Sequence, residues 1–192
     1  LSKGAVFHPT REDLNRFLYR EPASADIYAR VEKKNMIWVD SHDSKLESAT
    51  KIVDVVGHTP RFMLEVGTFT GESAVTTWGP LVAAVGGVLL CIDTWLGDVS
   101  NLMHFGEQHQ LHMKTQHGYP MLYRTFLERV VANGLSKSVF PLPMSPIAAA
   151  RLLAHLPWKI DAVYLNSAGR EGEIFLELFS YYQVIRTGGV LV

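Results

Sequence analysis

The side chains best able to do chemistry stand where apolar runs end. Glu65 lies near the close of the run Phe62-Met63-Leu64-Glu65-Val66, and Gly67 and Gly71 follow it. An apolar run bounded by Pro60 and Gly67 predicts a parallel strand covered on both faces. The two glycines bracket a loop that lets a ligand approach the backbone closely, because glycine has no Cβ in the way. A helix is expected to open near Gly71, and the free N–H groups of its first turn can bind a polar ligand. The charge of Glu65 narrows the choice. A carboxylate beside these glycines repels a pyrophosphate and suits a cationic cofactor, and the spacing Glu-x-Gly-x-x-x-Gly differs from the dinucleotide pattern Gly-x-Gly-x-x-Gly.

Asp93 ends the next apolar run, Val88 to Ile92. An acidic residue at a strand end about 20 positions past a glycine turn is placed to accept hydrogen bonds from ribose hydroxyls; capping a turn is the alternative role. Residues 97–118 carry His104, His109, His112 and His117. His109 and His112 would share a helix face, but the zinc-protease spacing is four, and no Cys or nearby Asp completes a site. No metal ligand set is expected. The stretch reads as a substrate loop or a surface that contacts another chain, and one of its histidines could act as a general base.

These residues need a frame to hold them. Thr10 can cap a helix through about Arg20, with Leu14, Phe17 and Leu18 on one face, and a second helical stretch is expected from Asp26 to Lys34. Met36-Ile37-Trp38-Val39 is too short to assign. Ser44-x-x-Glu47 is a capping-box pattern before Leu46, Ala49, Ile52, Val53 and Val56, and Gly57 and Pro60 end that helix. Residues 1–60 therefore read as a helical lead-in packed on the domain that follows, the alternative for its last helix being a lid over a substrate pocket. Glu72 to Val85 is the first crossover helix, kinked or split at Gly79-Pro80. Tyr119 to Asn133 is an amphipathic helix with Pro120 in its first turn. Val139 to Leu142 is a strand, expected at an edge because Pro141 cannot donate a ladder hydrogen bond. Ser145-Pro146 starts a helix to about His155. Ile160 to Leu165 is the fourth strand, Glu171 to Arg186 a helix, and Val190-Leu191-Val192 the start of a fifth strand. Alternating strands and helices imply an α/β fold with a mostly parallel sheet.

The stretch from Arg61 to Val192 resembles the class I S-adenosylmethionine-dependent methyltransferases, most closely the small-molecule O-methyltransferases of the catechol and caffeoyl-CoA type. The likeness rests on Glu65, Gly67, Phe69, Gly71 and Ser73, with Asp93 and the Gly188-Gly189 strand adding to it. It implies a three-layer Rossmann-like methyltransferase fold over residues 61–192, incomplete at the C-terminus. It implies S-adenosylmethionine as cofactor, held by Glu65, Gly67, Thr68, Phe69, Gly71, Ser73, Asp93, Thr94, Trp95, Ser145 and Asn166. Thr94-Trp95 would flank the adenosine, and the loop at Ser145 would lie near the adenine. Two departures stand out. Many relatives carry an Asp at the end of the fourth strand, a metal ligand in the metal-dependent branch; here it is Asn166, followed by Ser167-Ala168-Gly169-Arg170. An amide supplies no charge for a hard cation. The family fold also continues past a fifth strand, and this chain stops within it.

Composition removes several functional classes. A chain of 192 residues that is 47% hydrophobic can build a core, and a net charge of −1 gives no footprint for nucleic acid. Cys91 is the only cysteine, so no internal disulfide can form. No run reaches the ~20 apolar residues of a membrane span, and the expectation is a soluble protein whose compartment is open, a reducing compartment or an organelle included. The first residues, Leu1-Ser2-Lys3-Gly4, lack an initiator methionine and read as a processed chain or a fragment. The expected function is methyl transfer to a small-molecule acceptor, at oxygen. The alternative is a catalytically silent methyltransferase-like subunit of a larger assembly, contacting other chains through residues 97–118 and the open sheet edge. A nicotinamide-dependent oxidoreductase fits less well, because of Glu65 and the glycine spacing.

Overall fold

A computed structural model describes residues 7–22, 25–31, 43–97, 113–167 and 171–192. Among them five strands form one parallel sheet: β1 (Phe62–Val66), β2 (Val88–Asp93), β5 (Val139–Pro143), β6 (Ile160–Leu165) and β7 (Ile185–Leu191), in the order β5-β2-β1-β6-β7. A separate two-stranded hairpin pairs β3 (Thr115–Gln116) with β4 (Tyr119–Pro120). The chain is α/β and Rossmann-like. Its first strand is central, and the chain winds outward to one side through β2 and β5, then to the other through β6 and β7. Between β1 and β6 the direction of winding reverses, and open α/β sheets bind ligands outside the carboxyl ends at such a point.

Both faces of the sheet are covered. Phe62, Leu64 and Val66 of β1, with Leu90 and Ile92 of β2, face α1 (Arg11–Leu14), α5 (Pro146–Leu153) and α6 (Glu171–Tyr182). Met63, Leu89 and Cys91 face α2 (Asp43–Val56), α3 (Gly79–Ala83) and α4 (Leu122–Ala132). Two-sided burial explains why these strands read as continuous apolar runs. The lead-in divides between the layers, with Leu14 in one core and Tyr28, Ala49 and Ile52 in the other.

Local chemistry accounts for several boundaries. Thr10 and Asp13 form a reciprocal capping box, and the helix then widens into a π turn over Asn15–Tyr19 that ends at Arg20 in a left-handed conformation. A second π turn, Ala74–Trp78, precedes α3, so the expected split at Gly79-Pro80 is present and falls where proline withholds its N–H. The edge position of β5 also holds. Its outward carbonyls are capped by the lead-in: the Tyr19 hydroxyl donates to the Pro141 oxygen at 2.6 Å and Tyr28 to the Val139 oxygen at 2.5 Å.

Three expectations need correction. Pro120 pairs with Thr115 in the hairpin, and the helix starts at Leu122. Of the stretch expected as helix from Asp26, the described part is a turn over residues 27–30. The helix expected to reach Arg186 ends at Tyr182, because Ile185 pairs with Ile160 in the sheet. Between Ile185 and Val190 the register slips, and Gly188-Gly189 lie in this irregularity. Met36 to Val39, the Ser44 and Glu47 side chains, His104, His109, His112 and residues 168–170 lie outside the described residues.

Candidate functional site

The turn after β1 is built by contacts from distant parts of the chain. Gly67 has φ +81°, and a Cβ there would stand 2.5 Å from the Asn166 carbonyl oxygen and 2.6 Å from Ser167 Cα. Gly71 has φ +82°, and a Cβ there would stand 2.6 Å from the Phe126 ring. Both positions require glycine, for conformation and for space. The close partner is protein in each case, so neither glycine is explained by the approach of a ligand. Around the turn, Arg129 donates to the Thr70 hydroxyl at 2.7 Å, and Thr68 donates to the Glu65 carbonyl.

Asp93 organises the next loop. One carboxylate oxygen accepts from the Phe69 amide at 2.8 Å and the other from the Trp95 amide at 2.7 Å. Phe69 and Trp95 both have φ above +50°. Side chains with a Cβ seldom adopt this conformation, and the carboxylate holds both residues in it. The Trp95 indole donates to the Phe69 carbonyl at 2.7 Å and packs on Tyr123 and Phe126. The glycine turn and the Asp93 loop are thus one clamped unit.

A cavity of about 460 Å³ opens beside this unit, lined by residues at the carboxyl ends of four strands: Gly67, Asp93, Ser145 and Asn166. Phe69 and Thr94 also line it. Its volume is that of a small-molecule site. The wall opposite comes from Ser167 and from Glu173, Leu176 and Glu177 of α6. Glu177 is 6% exposed, and its carboxylate accepts a hydrogen bond from the Ser167 hydroxyl. Burial pushes the Glu177 carboxyl above its usual range; the Ser167 hydrogen bond opposes this, and the charge of Glu173 adds to it. No Lys or Arg is among the described lining residues.

Five of the expected residues lie outside this lining: Glu65, Thr68, Gly71, Ser73 and Trp95. Glu65 is fully buried. It pairs in register with Cys91 of β2, so its side chain points into the layer beneath α3 rather than toward the strand end. There it accepts a hydrogen bond from Ser73 and faces the Cys91 thiol at 4.0 Å. Burial, and then the charge of Glu65, push the Cys91 thiol up, so it stays protonated. Ser73 and Thr68 are buried by these partners, the space beside Gly71 is filled by Phe126, and Trp95 is packed away between Tyr123 and Phe126. The residues not foreseen are Gly97 as an individual contact, Pro146, Ile147, Glu173, Leu176 and Glu177. Glu177 had a legible signal: it is the one carboxylate inside the run Ile174 to Phe179.

Among the described residues no three His, Cys, Asp or Glu side chains converge as metal ligands, and no helix is long and apolar enough to cross a membrane. No family model matches the sequence, and no curated protein matches it.

Proposed function

We infer that this chain carries out S-adenosylmethionine-dependent methyl transfer to a small-molecule acceptor, at oxygen. One observation carries the reading: the cavity at the reversal of strand order is walled by Asp93, Glu173 and Glu177, with no described Lys or Arg in its lining. Such a wall repels the phosphates of a nicotinamide dinucleotide and favours a ligand bearing positive charge. The residues fit the cofactor in kind. Asp93 presents a carboxylate to the cavity, Thr94 and Ser145 offer hydroxyls, and Asn166 offers an amide next to the Gly67 turn.

When bound, S-adenosylmethionine supplies a methyl carbon on a positively charged sulfur. The protein's share is alignment of the acceptor oxygen behind that carbon, the removal of water and the acceptance of the acceptor's proton by a base. The clamp of Asp93 on Phe69 and Trp95 fixes one wall of the cavity before any ligand arrives, the kind of preorganisation that alignment requires. Calorimetric titration tests the reading. S-adenosylmethionine and S-adenosylhomocysteine are expected to bind, and NAD is not. Binding of NAD with neither adenosyl ligand bound would refute it.

A second reading has its own support. On α6 the side chains of Ile174, Phe175, Leu178, Phe179 and Tyr182 are exposed, Phe175 by 72% and Tyr182 by 75%. They stand beside β7, whose only described strand partner is β6. An apolar helix face next to a strand edge is the signature of a surface covered by further protein. This favours a silent subunit of an assembly, and failure of every adenosyl ligand to bind would favour it further.

A further inference from the structure

On the adenosyl reading above, we propose that Glu177, rather than Glu65, is the carboxylate that receives the positive charge of the ligand. Glu65 is sealed beneath α3 with its oxygens turned to Ser73 and Cys91. Glu177 lines the cavity, yet nine-tenths of it is removed from solvent. One of its oxygens accepts from Ser167; the other has no hydrogen-bond partner among the described residues. Ser167 stands directly against the Gly67 turn, so this carboxylate is held at the reversal of strand order.

The second Glu177 oxygen is not sealed within the protein but opens on the cavity, so a cation that enters can meet it directly. Among the described residues no Lys or Arg lines the cavity. Glu173 one turn earlier is negative, and Tyr181 one turn later has given its hydroxyl to the Pro146 carbonyl at 2.8 Å. Across the cavity Asp93 already accepts two amides, and α5 contributes Pro146 and Ile147. On β7, which packs behind α6, Arg186 is bound to Asp161 at the far end of the sheet. Burial, and secondarily Glu173, keep Glu177 protonated to higher pH than an ordinary glutamate. A cation favours the ionised form, so binding in that range expels the Glu177 proton, and affinity rises with pH as the carboxyl ionises.

The adenosyl ligands offer two cations, a sulfonium in S-adenosylmethionine and an amino-acid ammonium in both it and S-adenosylhomocysteine. The test is calorimetric titration of each, from pH 5 to 8, in buffers of different ionisation enthalpy, which counts protons released. Wild-type protein is expected to release a proton fraction that falls as pH rises. Glu177→Gln is expected to bind about tenfold more weakly, the scale of a hydrogen bond to a charged group, with that release gone. Equal release with both ligands assigns the ammonium; release with S-adenosylmethionine alone assigns the sulfonium. Unchanged affinity or unchanged release in Glu177→Gln overturns the proposal while leaving the adenosyl reading intact. No binding of either ligand to wild type overturns both. If Glu177→Gln does not fold, Ser167→Ala serves, since it removes a hydrogen bond that holds the Glu177 pKa down. The release then moves to higher pH, and a release that stays in place contradicts the assignment.

Discussion

Asp161 and Glu177 are both buried carboxylates associated with β6, at opposite ends of the sheet. Asp161, near the start of β6, is saturated. It accepts from the Arg61 amide at 2.8 Å, the Phe62 amide at 3.2 Å and Arg186 Nε at 2.5 Å, and His8 lies 3.1 Å away. Burial by itself would raise its pKa, but the hydrogen bonds from Arg186, Arg61 and Phe62, with the charge of His8, hold it below the usual range. Glu177 has one serine, and burial pushes its pKa the other way. Similar burial thus has opposite consequences, decided by how many donors reach the carboxylate. The saturated one ties the lead-in, β1 and β7 together. The unsaturated one faces a cavity, where the remaining partner can be a ligand.

Removing the saturated carboxylate is expected to have the largest effect on folding. Asp161→Asn leaves the Arg186 charge without its partner and is expected to cost about 3–5 kcal/mol in urea denaturation. The pH dependence follows from the lowered pKa. The stabilisation by Asp161 is fully present above the unfolded-state value of about 3.9 and is lost as pH falls through the folded-state value. The variant should lack this part of the acid limb; an unchanged acid limb would place the stabilisation elsewhere.

The unsaturated carboxylate should behave in the reverse sense and with a smaller effect. A raised folded pKa means that the folded state binds more protons than the unfolded state between the two values. Stability contributed at this site therefore declines as pH rises through that interval. Glu177→Gln, read by thermal unfolding without ligand, is expected to match wild type at acid pH. At neutral pH it should be more stable, by about 1 kcal/mol or less. A loss of several kcal/mol would make Glu177 a second structural anchor and erase the contrast with Asp161.

The strands β1, β2 and β6 were legible, and the start of β7 and the faces of the last helix were not. Burial on both sides makes β1, β2 and β6 continuous apolar runs, so Phe62–Val66 and Ile160–Leu165 could be bounded from residue type alone. Apolar periodicity in α6 marks a face but not what covers it. Phe175 and Phe179 point outward while Glu177 and Tyr181 point in, and Ile185 continues the apolar pattern into a strand. The candidate site was legible where it depends on strand ends, as at Gly67, Asp93, Ser145 and Asn166. It was not legible for Glu65, because a strand covered on both faces shows no alternation to say which way a side chain turns. Gly71 lies outside the lining for a different reason. Its lost Cβ makes room for Phe126, a contact between residues distant in sequence.

The central claim is that the ligand site lies at the carboxyl end of the sheet, against Gly67, Asp93 and Glu177. The most direct measurement is a crystal structure of the protein with S-adenosylhomocysteine. The account predicts density for the ligand in contact with Gly67, Asp93 and Asn166, with its ammonium or thioether beside Glu177. The opposite end of the sheet offers a cavity of about 380 Å³ lined by His8, Arg11, Arg61 and Lys137. Ligand bound there, with the cavity at Asp93 empty, would contradict the account.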